Sequence, residues 1–147
     1  MNQLFLVVIC ILVCSCCGLH TEVEYQYEDV TVTRIDECGI TSFYYKNAEN
    51  QSAGKIWVEY SGINDGFSGY LQFSGDGKVS LLSGDGHFQG VNLDANFDYK
   101  RILSYERPQL GEQVYYISSS ISFEKEKNSI GKTMVEAKYK IDDNEWW

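Results

Sequence analysis

The sequence predicts an all-β domain of about eight to ten antiparallel strands, arranged as a small barrel or a two-sheet sandwich. Three observations carry this. Apolar residues recur with period two rather than 3.6, as in Val91, Leu93, Ala95, Phe97 and Tyr99 against Asn92, Asp94, Asn96 and Asp98. Asp-Gly pairs at 65–66, 76–77 and 85–86 sit between alternating segments, where tight hairpins require positive φ. Aromatic residues reach 14%, with 11 Tyr, 13 Gly and 1 Pro, a composition suited to pleated surfaces and sharp turns.

Taken in order, Val23, Tyr25 and Tyr27 alternate in one register and Val30 and Val32 in the other, so a bulge or strand break falls at Glu28-Asp29. Ile40 to Lys46 reads as the next strand. Lys55 to Tyr60, Phe67 to Phe73, Lys78 to Leu82 and a long strand from His87 to about Lys100 follow as a meander. The best helical segment is Arg101-Ile102-Leu103, ahead of Pro108. Tyr115, Ile117, Ile121 and Phe123 alternate with Ser118, Ser120, Ser122 and Glu124, which predicts a strand reaching Lys125. A hairpin through Asn128 to Gly131 then leads into a last strand over Thr133 to Ile141. The meander of hairpins tilts the expectation toward a barrel-like form.

The N-terminus speaks to compartment. No charged side chain precedes Glu22, and Leu4 to Val13 is unbroken apolar sequence. That is a secretory signal pattern, and it is short for a membrane-spanning helix of about 20 residues. Residues 1–15 read as a signal peptide, 16–21 as a short tether and 22–147 as a single β domain. Val13-Cys14-Ser15-Cys16 resembles the bacterial lipobox. The resemblance implies lipidation of Cys16 and a membrane anchor, since two or more acyl chains hold a protein at a bilayer. The alternative is ordinary cleavage and secretion. With Cys16 lipidated, Cys17 and Cys38 remain for a disulfide.

Charge and chemistry narrow the function. The net charge of −9 argues against nucleic-acid binding, which needs a basic footprint. No G-x-S-x-G elbow or Gly-rich phosphate loop is present, and His87 is the lone histidine of the domain. Ser74-Gly75-Asp76-Gly77 and Ser83-Gly84-Asp85-Gly86 read as two similar turns rather than calcium repeats. Asp94 to Asp98 starts like an EF-hand loop but lacks the required Gly and Glu further on. No catalytic residue, cofactor or metal ligand is therefore expected. The adjacent pairs Tyr44-Tyr45 and Tyr115-Tyr116 should each turn one ring outward on a strand and, together with Trp146-Trp147, offer a binding surface. The expectation is an exported, non-catalytic binding protein of the cell envelope with a protein partner. An inhibitor or immunity protein against a basic partner fits the acidity. A lipocalin-like carrier of a small apolar ligand, or a structural surface lipoprotein, is the alternative.

Overall fold

The computed structural model describes residues 20–37, 40–47, 52–59, 67–84, 87–91 and 96–141. It is an all-β sandwich of two packed sheets, without a closed barrel. The strands are β1 (Thr21–Tyr27), β2 (Val30–Glu37), β3 (Ile40–Lys46), β4 (Ser52–Glu59), β5 (Ser68–Phe73), β6 (Val79–Ser83), β7 (His87–Val91), β8 (Phe97–Arg101), β9 (Val114–Ser118) and β10 (Glu136–Ile141). One helix, α1 (Ile121–Gly131), lies between β9 and β10. The six-stranded sheet has the order β10-β1-β2-β3-β4-β7, and the four-stranded sheet β8-β6-β5-β9.

The period-two pattern places strands such as β1, β5 and β6 because one face of each packs into the shared core, through Val23 and Tyr25, Leu71 and Phe73, and Val79 and Leu81. The break at Glu28-Asp29 is a two-residue hairpin in which Tyr27 pairs with Val30. Glu28 adopts positive φ of 51° there. Asp76-Gly77 forms the β5–β6 turn, with Gly77 at φ 79°. Between the sheets the aromatic content is spent in facing pairs. Tyr25 meets Tyr115 at 5.0 Å between ring centroids, Phe43 meets Phe67 at 5.1 Å, and Tyr45 stacks on Phe97 at 5.6 Å. Such pairs add roughly 0.5–1.5 kcal/mol each beyond their buried area. Gly69 is required in this layer, because a Cβ there would stand 2.6 Å from the Leu82 carbonyl oxygen.

Four expectations are corrected. The tilt toward a barrel gives way to two separate sheets, because the predicted strand from His87 to Lys100 is divided. Its first part, β7, pairs with β4 in one sheet, and its second part, β8, pairs parallel to β6 in the other. The helical turn near Arg101 is a 3₁₀ turn over Ser104–Glu106. The predicted strand through Ile117 to Lys125 ends at Ser118, and residues from Ile121 onward are helical. The predicted terminal hairpin is absent accordingly: β10 pairs with β1 instead.

The register inverts with the helix. Phe123, expected inside, is 44% exposed, whereas Glu124, expected outside, is 0% exposed. Ser120 caps the helix by accepting from the Phe123 amide, and Lys132 ends it in the left-handed conformation. Among the described residues no helix is long and apolar enough to cross a membrane.

Candidate functional site

Two arrangements of side chains stand out. The first is buried and holds the second in place. The Glu124 carboxylate accepts four hydrogen bonds: from the Tyr25 hydroxyl at 3.1 Å, the Tyr139 hydroxyl at 3.0 Å, Arg34 Nη1 at 3.0 Å and the Ser118 amide at 2.8 Å. Tyr139 donates to Glu124, so at its 2.7 Å contact with Tyr115 the donor is Tyr115. Arg34, 1% exposed, also donates to Asp36, the Tyr25 hydroxyl and the Ser118 carbonyl. Burial pushes the Glu124 carboxyl above the usual carboxylate range, and Arg34 and the other donors draw it back. Four converging donors are the set that fits the ionised form. Burial opposes the Arg34 charge, but Tyr25, Asp36 and Glu124 outweigh it and raise the guanidinium pKa.

Strand β9 is an edge of its sheet. The outward amide and carbonyl of Tyr116 and the amide of Ser118 bond to side chains of α1, and the Ser118 carbonyl accepts from Arg34 of β2. Asn128 accepts from the Tyr116 amide at 2.8 Å and donates to the Tyr116 carbonyl at 2.7 Å. Glu124 does the corresponding work at Ser118. The match is geometric: four helical residues rise about 6 Å and two strand residues about 6.6 Å. An edge sealed this way is closed to pairing with another chain.

The second arrangement is the outer face of the four-stranded sheet. Tyr70 and Tyr116 are cross-strand partners, with rings 5.4 Å apart at 63°. Tyr116 meets Phe123 of α1 edge-on at 5.8 Å. Lys127 Nζ lies 5.6 Å from the Tyr116 ring and 5.7 Å from Phe123. Beside Tyr70 a cavity of about 230 Å³ opens, lined by Ser68, Tyr116, Arg101, Leu103 and Arg107 among others. Burial raises the Tyr70 hydroxyl pKa, while Arg107 nearby lowers it. Leu103 and Tyr105 add exposed apolar surface on the loop after β8, at 52% and 80% exposure.

The tyrosine pairs divide as strand geometry requires. Tyr45 and Tyr115 are buried, and Tyr44 and Tyr116 are half-buried. Tyr45 donates to the Gly77 carbonyl at 2.8 Å. The outward rings do not form one surface: Tyr116 belongs to the four-stranded sheet, while Tyr44, on the six-stranded sheet, sits under Lys55 at 5.1 Å. Cys16, Cys17, Cys38, Trp146 and Trp147 lie outside the described residues. Sequence reasoning missed Tyr70, Phe123, Arg101 and Arg107. Two of the chain's three arginines fall in one short loop region, a signal that was available. The Tyr70–Tyr116 pairing was not available, since it depends on which strands adjoin. Comparison with protein-family models, curated proteins and solved structures gives no match.

Proposed function

We propose that the chain is an exported, non-catalytic binding protein whose recognition surface is the outer face of the four-stranded sheet together with the adjoining side of α1. The observation that carries it is the row Tyr70, Tyr116 and Phe123, partly exposed and accompanied by Lys127, Arg101 and Arg107. Aromatic and arginine side chains are the residue types that anchor binding surfaces. Export rests on the apolar run Leu4 to Val13 and the lipobox-like Val13 to Cys16.

The local charge refines the partner. Arg101, Arg107 and Lys127 lie at this face on a chain whose net charge is −9, and they favour anionic groups on the partner. An inhibitor role against a basic partner draws on the net charge, which acts over a Debye length. It would use other parts of the surface. The test is site-directed photocrosslinking in the native envelope. A photoreactive phenylalanine analogue at position 116 should give a discrete adduct, suppressed by excess unlabelled protein. The same group at Glu24, on the other sheet, should not. Equal labelling from both positions, or none from 116, rejects the proposed surface.

A further inference from the structure

We infer that the cleft beside Tyr70 is a binding site for a carboxylate-bearing sugar unit, an inference that rests on the recognition face proposed above and names its ligand. The sequence holds three arginines. Arg34 is consumed in the buried network, and the other two, Arg101 and Arg107, both line this cleft. Among the described residues neither has a carboxylate within ion-pair distance, although the chain carries 21 acidic side chains. The acidic group of the same loop is held back: Glu106 accepts from the Leu103 amide at 2.8 Å, closing the 3₁₀ turn on itself. Guanidinium forks match the planar, two-oxygen geometry of a carboxylate.

Size and lining select the body attached to that carboxylate. A cavity of about 230 Å³ is below the roughly 300–1,000 Å³ of pockets that take drug-sized ligands. It suits one saturated ring. Tyr70 and Tyr116 supply aromatic surface for the C–H face of such a ring. Tyr70 keeps its proton well past neutrality and so remains a donor to ring hydroxyls. The walls are fixed. The Ile102 amide donates to the Ser83 carbonyl at 3.0 Å, and the Ser83 hydroxyl donates to the Ser68 carbonyl at 2.7 Å. Tyr116, which lines the cleft, is in turn in contact with Phe123 and Lys127, so further units of an acidic saccharide have aromatic and cationic groups to meet beyond it. The other large hollow, between α1 and β10, is the weaker candidate because its Lys125 lies over the Tyr139 ring at 4.4 Å.

The test is ligand-observed NMR titration of the full-length protein with D-glucuronate, with D-glucose and acetate as separate probes. Glucuronate should bind with a Kd of about 1 mM or tighter. Glucose, lacking the charge, and acetate, lacking the ring, should each bind at least about tenfold more weakly. Replacing both arginines (Arg101→Gln with Arg107→Gln) should weaken glucuronate about tenfold or more, and Arg107→Lys, which keeps charge but loses the fork, should fall between. Lys138→Gln, on the other sheet, should change nothing. Both arginine side chains are exposed, so these variants should melt as the parent does. Acetate binding as tightly as glucuronate, glucuronate failing to bind, or binding indifferent to the arginines would each overturn the inference. Crosslinking from position 116 that survives such a failure would leave the recognition face standing and remove only its ligand. Loss of both would remove both.

Discussion

The Arg34 guanidinium and the Glu124 carboxylate meet at 3.0 Å with 1% and 0% of their side chains exposed. They come from β2 and α1, 90 residues apart, and join the helix to the six-stranded sheet. Losing either partner leaves the other buried with less compensation: Glu124 loses its paired cation, and Arg34 keeps only Asp36, at 2.7 Å, as an ion-pair partner among the described residues. Glu124→Leu or Arg34→Met alone should therefore destabilise the fold by about 3–5 kcal/mol. The double variant should cost less than either single change. Urea denaturation of the three variants measures this, and additive losses would show that the two side chains act independently.

The buried hydroxyls set the alkaline limit of the fold. Burial is the largest cause raising the pKa of Tyr25, Tyr115 and Tyr139 above the usual tyrosine value. Above about pH 10 the unfolded chain releases phenolic protons that the folded chain retains. Stability from these groups is thus fully present below about pH 10 and declines as pH rises beyond it. Urea midpoints should fall as pH rises past about 10, and less steeply in Tyr115→Phe. A flat profile would contradict the burial of these hydroxyls.

Phe97 and Asp98 test the register of β8. Phe97 is 0% exposed and stacked on Tyr45, whereas the Asp98 side chain is 48% exposed and pairs with Lys100 at 3.6 Å. Phe97→Ala should cost about 3–5 kcal/mol, and Asp98→Ala should stay within about 0.5 kcal/mol. Similar losses at the two positions would place the strand in the wrong register.

Asn128 should be a positioning residue for Tyr116. Asn128→Ala leaves the Tyr116 amide and carbonyl without their partner, at about 1–3 kcal/mol. Hydrogen exchange at the Tyr116 amide should accelerate well beyond that at Leu71, inside β5. Unchanged protection would mean that solvent replaces the side chain at no cost.

The export assignment has its own test. Cys16→Ser should abolish labelling by a palmitate analogue and release the protein from membranes. Labelling that persists in the variant would rule out lipidation at Cys16.

The strands were legible because their pattern has period two and their neighbours are short hairpins, as at Tyr27 and Val30. The helix was not, for a reason visible in its sequence. A helix reveals itself by an apolar stripe at i, i+3 and i+4. The side chains that α1 buries are Glu124 and Asn128, which are polar, while Phe123 and Ile130 point outward. Its alternating start, Ile121 to Glu124, then imitates a strand. The division of strands between two sheets was equally hidden, since the alternation from Val91 to Tyr99 runs from the end of β7 into β8. The cleft depends on that division: Arg101 ends β8, Tyr70 lies in β5, and only the sheet order, with β6 between them, brings both to one cleft.

The pairing of β1 with β10, Thr21 opposite Ile141, governs when the chain can fold as it is synthesised. A ribosome that has delivered everything through β9 has released a β1 missing one neighbour and an Arg34 missing Glu124. Closing contacts across that span costs chain entropy before any of them is rewarded. A fragment that stops short of β10 is therefore held back from a premature stable structure, because β10 supplies the outer neighbour of β1.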